Sequence, residues 1–155
     1  MVRPPTQPVS AMRERQSEVD HALAVVLFRS GSVAVADQQR EALARVVRWQ
    51  NAHPDYLLYV EGYADLGGSA RDNLRVSQQR AEAVRADLVR LGADCDRIVI
   101  AAYGASEPLR TPAESRRVIV RGSDSAYPTL VAAQNGRDRE SCIQPAQPSE
   151  PQATR

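Results

Sequence analysis

Apolar positions along the chain fall into short runs and helical stripes that alternate. The run Ala22-Leu23-Ala24-Val25-Val26-Leu27-Phe28 has the length of a buried strand, and Ser30-Gly31-Ser32 breaks it. Leu43, Val46, Val47 and Trp49, with Ala36 and Ala42, then trace a loosely helical face as far as Ala52. Asp37 is placed to cap that helix, and His53-Pro54 ends it, because proline disfavours helical geometry in the residue before it. Tyr56 to Gly62 is a second apolar strand, followed by a small and polar loop from Asp65 to Asp72. Leu74, Ser77, Ala81, Val84, Leu88 and Leu91 recur at spacings of three and four, the best-formed helical stripe of the chain, and Gly92 suits its C-cap. Arg97 to Tyr103 reads as a third strand closed by Gly104. A polar link with Pro108 and Pro112 leads to a fourth, Arg116 to Arg121.

The order strand, helix, strand, helix, strand, strand predicts an α/β sandwich: a mixed four-stranded sheet with both helices packed on it. Strands joined through helices call for parallel pairing with right-handed crossovers. The pattern also sets the domain limits. Residues 1–20 are a polar, Pro-spotted arm, residues 21–122 the domain, and residues 123–155 a tail with a faint apolar cluster from Tyr127 to Ala133.

Composition narrows the chemistry. Hydrophobic residues make up 43% and charged residues 25%, as in ordinary globular chains, and a formal charge of +1 gives no case for nucleic acid. No run approaches the roughly 18 apolar residues of a transmembrane helix, and the polar start at Met1 does not read as a signal peptide. Cys95 and Cys142 lie far apart, either as a disulfide in an oxidising compartment or as two unrelated thiols. They do not form a zinc site. His21 and His53 have no nucleophile or ligand cluster near them in sequence, and Gly67-Gly68 lacks the Gly-Lys-Ser/Thr of a phosphate loop. The expectation is a protein without metal, cofactor or catalysis.

One segment is specific: Gly62-Tyr63-Ala64-Asp65-Leu66-Gly67-Gly68, then Asn73, then Val76-Ser77-Gln78-Gln79-Arg80-Ala81. It resembles the OmpA-like peptidoglycan-binding domain, which carries a Gly-x-x-Asp-x-x-Gly loop, an Asn eight residues after that Asp, and a Leu-Ser-x-x-Arg-Ala helix. The later Gly104 and Pro108, and Arg116-Arg117-Val118, match its Gly-x-x-x-Pro turn and Arg-Arg-Val strand. The resemblance covers about two-thirds of the chain and leaves both tails unexplained.

The resemblance implies non-covalent attachment to peptidoglycan through diaminopimelate of the stem peptide, in the periplasm and near the outer membrane. Diaminopimelate presents an ammonium and a carboxylate on one carbon. Asp65 would take the first, and Arg80 would hold the second through its fork of donors. Arg80 lies about 10 Å along the helix axis from Asn73, so the Asp65 loop must fold back, with Gly67-Gly68 supplying the freedom. Asn73 would lock the loop, and backbone N–H groups at Leu66 and Gly67 would add donors. In the family one arginine of the Arg-Arg pair faces the pocket. Alternation allows only one of Arg116 and Arg117 to do so, and Arg117 is taken as that one.

Without the resemblance, Asp65 and Arg80 read as an internal ion pair. This sequence departs from the family pattern at Tyr63-Ala64, where a polar pair such as His-Thr is usual, at Val76, at Ser115, and at Arg29, where Asp or Asn is common. A second function fits the same fold: a docking subunit of an envelope-spanning secretion or transport complex, with the tails contacting other subunits.

Overall fold

The structure, a computed structural model, describes residues 22–123. The arm, His21, the Tyr127–Ala133 cluster and Cys142 lie outside the described residues. Four strands form one sheet in the order β1-β4-β2-β3. β1 is Ala24–Leu27, β2 Leu57–Gly62, β3 Ile98–Ala102 and β4 Arg117–Ser123. Two long helices, α1 (Arg40–Ala52) and α2 (Ala70–Arg90), connect the first three strands, and a single turn, α3 (Pro112–Ser115), precedes the last.

The helical connection between β2 and β3 produces the expected parallel pair, from Leu58 opposite Ile98 to Gly62 opposite Ala102. β1 and β2 also run the same way but are not neighbours, because β4 inserts between them antiparallel to both. The sheet is therefore mixed. β2, between two partners, is buried at five of its six positions, while the edge strand β1 buries Ala24 and Val26 and exposes Leu27.

Val26, Leu58, Val60, Ile98, Val118 and Val120 on one sheet face meet Leu43, Val46 and Val47 of α1 and Ala81, Val84 and Leu88 of α2. Removing this apolar surface from water is the main stabilising term. Two glycines permit close approach. A methyl group at Gly62 would overlap the Ser77 carbonyl of α2, and one at Gly122 would overlap the Trp49 ring.

Helix ends depart from the expected pattern in two places. Asp37 does not cap α1. It opens a 3-10 turn (Asp37–Gln39), lies inside that turn rather than before it, and pairs instead with Arg40 at 3.3 Å. α2 is capped by Ser69, whose hydroxyl accepts from Asp72 N–H at 3.1 Å. The buried stripe of α2 is Asn73, Ser77, Arg80, Ala81, Val84 and Leu88, and Leu74, expected within it, is 48% exposed. One residue turns a helix by about 100°, so facing Asn73 inward turns Leu74 out. Gly92 adopts the positive φ (103°) of a C-terminal cap, as expected. Cys95, in a 3-10 turn before β3, is disulfide-bonded.

Candidate functional site

The Gly62–Arg80 motif folds into β2, a loop and the first half of α2, at the end of the sheet where β1 and β2 finish and β4 begins. Three charged side chains converge there: Asp65 from the loop, Arg80 from α2, and Arg116 from the residue before β4. Arg80 is set within α2, whereas Asp65 follows the end of β2 and Arg116 directly precedes β4.

Arg80 forms the floor. It is 2% exposed. Its Nε donates to the Ser32 carbonyl at 2.9 Å, Nη2 to that of Arg29 at 3.4 Å, and Nη1 to that of Tyr63 at 3.5 Å. The guanidinium also lies 5.3 Å from the Phe28 ring centroid. One side chain thus ties the segment after β1 to the end of β2. These bonds engage three of the five N–H donors. Burial, and repulsion from Arg116, pull its pKa down from the ordinary guanidinium value, and attraction to Asp65 opposes them.

Asp65 is the anion of the site, with its side chain 23% exposed. One carboxylate oxygen accepts from Arg116 Nη1 at 2.9 Å, and the other from the Gly67 N–H at 3.1 Å. The Arg116 hydrogen bond holds the carboxyl below the usual carboxylate range. Partial burial opposes it, and the Gly67 N–H and the positive field of both arginines assist. The internal pair that Asp65 and Arg80 suggest in the sequence is therefore replaced by a pair with Arg116. Arg116 is anchored in turn, its Nε donating to the Phe28 carbonyl at 3.0 Å.

The loop is held from below. Asn73 is 8% exposed, and its Oδ1 would lie 3.5 Å from a Cβ built at Gly68, whose φ is +84°. Asn73, expected to lock the loop by hydrogen bonds to its backbone, has its side chain beside the Gly68 turn, and its own backbone N–H donates to the Ser69 carbonyl at 2.9 Å. Ser77, which the apolar stripe did not mark as polar machinery, donates to the Leu74 carbonyl at 2.7 Å and accepts from the Gly104 N–H at 3.0 Å. Ala64 N–H donates to the Gly104 carbonyl at 2.8 Å. These bonds clamp the β3–α3 link against α2. Of the expected backbone donors, Gly67 N–H is taken by Asp65, and Leu66 is exposed on the loop.

Arg117, the arginine expected to face this cluster, points to the opposite sheet face. Val118 and Val120 occupy the helix side, so alternation sends Arg117 away from it. There its guanidinium lies 3.9 Å from the centroid of the Tyr63 ring and donates to the carbonyls of Glu107 and Ser115 at 3.3 Å. Tyr63 stacks on Tyr103 and donates its hydroxyl to Glu61 at 3.1 Å, while Glu61 is paired with Arg121. Burial among these carboxylates pushes the Tyr63 phenol far above its normal pKa. The Tyr63-Ala64 departure thus falls mostly on the far face, and Tyr63 meets the candidate site through its carbonyl alone. Among the described residues no cluster of three His, Cys, Asp or Glu could hold a metal ion.

A four-stranded mixed sheet with two helices on one face, a charged loop after β2 and a guanidinium under it define an OmpA-like domain. The OmpA family model matches residues 27–120, and the chain belongs to that family. It is 32% identical over 84 residues to a peptidoglycan-associated lipoprotein of Mesorhizobium japonicum, covering 54% of this chain and 50% of that protein. The chain spans about half the length of the curated relatives it matches. Its fold superposes on the crystal structure of the peptidoglycan-associated lipoprotein from Burkholderia pseudomallei with a TM-score of 0.62 at 28% identity, covering 64% of this chain and 89% of that one. The periplasmic domain of Helicobacter pylori MotB shares the fold, with a TM-score of 0.58 at 17% identity over 74% of this chain and 80% of that one. The resemblance noted in the sequence and the mixed-sheet fold are both borne out.

Proposed function

We propose that this domain binds peptidoglycan without cleaving it, through the free ammonium and carboxylate of diaminopimelate, and so anchors an envelope protein or complex to the cell wall in the periplasm. The observation that carries the reading is the meeting of Asp65 with two guanidiniums at the end of β2, in a chain of the OmpA family. Asp65 takes the ammonium. Arg80 contributes charge and its unengaged N–H donors from the floor, Asn73 supports the loop, and Leu66 and Gly67 frame it. Arg117 serves this site from behind, by fixing the Tyr63 segment whose carbonyl Arg80 grips.

The reading gives the domain no catalytic task, because its charged groups are arranged to pair and to orient rather than to move a proton. Co-sedimentation with purified sacculi tests it. Wild type is expected in the pellet, and Asp65→Ala in the supernatant. Equal pelleting of Asp65→Ala, Arg80→Ala and wild type would sink the site.

One observation favours the other function, a docking subunit of an envelope-spanning secretion or transport complex with weak or no wall binding. Asp65 already has a partner within the protein. Absence of wild-type protein from the sacculus pellet, with recovery inside a larger envelope complex, would decide for that reading.

A further inference from the structure

We propose that the C-terminal segment 124–141 folds back over the sheet face opposite the helices and is latched there by a disulfide between Cys95 and Cys142. The occupant of that face is a segment of this same chain, not a partner protein. The proposal does not depend on what the charged cluster at the other end of the sheet binds.

The face is built as an interior. Leu58, Val60, Ile98, Val118 and Val120 point to the helices, so alternation sends Leu57, Tyr59, Glu61, Val99, Ile119 and Arg121 the other way. The register gathers them: Tyr59 stands between Arg121 and Val99, Glu61 opposite Ile119, and Leu57 opposite Ser123. A sheet with helices on one side only should turn polar residues to water on the other. Here Leu57, Val99 and Ile119 are 9%, 5% and 3% exposed, although none belongs to the helix-side core. Val99 lies on β3, an edge strand, where the sheet flanks it on one side alone. Glu61 is enclosed with them and paired with Arg121. Among the described residues both long helices pack on the opposite face, and the link after β3 reaches this one at Arg117, through the Glu107 carbonyl. A further layer is required.

Three observations name that layer. Cys95 is disulfide-bonded, and Cys142 is the other cysteine of the chain. The chain leaves β4 at Ser123, opposite Leu57, and Cys95 stands just before Ile98, opposite Leu58, so both points lie at the sheet end away from Asp65. They are separated by two strand spacings, roughly 10 Å. Residues 124–141 reach about 60 Å when extended, enough to run the length of β2 and return. The segment also carries Tyr127-Pro128-Thr129-Leu130-Val131-Ala132-Ala133, an apolar stretch that suits Leu57, Val99 and Ile119. A closed disulfide removes much of the freedom the segment would otherwise lose on docking, so a modest apolar contact holds it. The latch forms where thiols oxidise, and there it withdraws the face from other partners.

The experiment uses the full oxidised chain, with peptide mapping in the absence of reductant and hydroxyl-radical footprinting of side chains. Wild type is expected to give a Cys95–Cys142 peptide pair within a monomer, with Leu57, Val99 and Ile119 as protected as Leu43 and Val84 of the helix-side core. The double substitution Leu130→Asp with Val131→Asp should raise oxidation at Leu57, Val99 and Ile119 about threefold or more, while Leu43 and Val84 stay protected. Cys95→Ser with Cys142→Ser, which keeps the apolar stretch, should raise it by about twofold. Protection of the three residues unchanged in the aspartate variant, with the helix-side core intact, overturns the proposal. So does heavy oxidation of them in wild type, or a disulfide that joins two chains. If the aspartate variant unfolds, seen as oxidation of Leu43 and Val84, the serine variant decides: a twofold gain upholds the latch, and protection equal to wild type overturns it.

Discussion

Replacing Gly62 with alanine tests the contact on which the site is built. A Cβ there would stand 2.8 Å from the Ser77 carbonyl carbon, overlapping its oxygen more deeply, and 3.3 Å from the Ala81 Cβ. Carbon contacts settle at about 3.5–4.0 Å, so α2 must withdraw from β2 by roughly 1 Å. A flexible side chain would step aside, but the obstacle here is helix backbone held in its own hydrogen-bond ladder. The cost belongs at the upper end of overpacking, about 3 kcal/mol. For a domain of about 100 residues that lowers Tm by roughly 10–20 °C. Gly31→Ala is the control. Gly31 has φ +71° with nothing within 4 Å of the added methyl, so only the backbone strain of about 1–2 kcal/mol applies. Circular-dichroism melts read both, and sacculus pelleting reads the site. Retreat of α2 carries Ser77 from Gly104 and Arg80 from the Tyr63 carbonyl, so folded Gly62→Ala should bind less than Gly31→Ala. A Tm for Gly62→Ala within about 2 °C of wild type would refute the close approach.

Three other outcomes follow from the same geometry. Arg80→Met leaves the carbonyls of Ser32, Arg29 and Tyr63 without their donor and should lower stability by about 3 kcal/mol in urea titration, with Arg80→Lys falling between; a midpoint equal to wild type would show the three bonds to be idle. Ser77→Ala removes the acceptor of the buried Gly104 N–H and should cost about 1–2 kcal/mol, checked by the same titration and by faster amide exchange at Gly104. For Asp65 the sign is fixed by its lowered pKa: the stability from its pair with Arg116 is fully present above the unfolded carboxyl value of about 3.9 and is lost as pH falls through the lower folded value. The stability gap between wild type and Asp65→Asn should accordingly stay flat from about pH 7 to pH 5 and close only below about pH 4, and a gap that closes above pH 5 would contradict the assigned pair.

The sequence carries the element order because α2 has a clear helical stripe closed by Gly92, β2 is a compact apolar run, and His53-Pro54 ends α1 before it. It does not carry strand order. Nothing local tells β4 to insert between β1 and β2, since its partners are chosen by long-range pairing with residues such as Val26 and Val60. The stripe of α2 is readable where it meets the core, at Ala81, Val84 and Leu88. It holds at Ser77 but misleads at the first turns, where the helix packs on polar loop and turn residues and buries Asn73 and Arg80, while Leu74 is turned out. Asp65, Asn73 and Arg80 are legible as a set through their spacing. Their partners are not, because the Ser32, Arg29 and Phe28 carbonyls that orient the guanidiniums are backbone atoms with no signature of residue type.

The two arginines before Val118 show where reading by alternation stops. Period two says that Arg116 and Arg117 part company, but Val118-Ile119-Val120 is apolar on both sides and supplies no phase. The phase comes from the register: Val26 stands opposite Val118 and Ala24 opposite Val120, which puts those valines under the helices with Phe28. Arg116 then shares the helix side with Phe28 and Arg80, and Arg117 shares the other with Tyr63 and Glu61. The assignment has a functional consequence. Two guanidiniums on the helix side would repel each other if no anion lay near them, and Asp65 is the residue that makes their proximity tolerable. The acid is thus a structural counter-ion first, and under the proposed function any cation that takes it over leaves that repulsion between the arginines exposed.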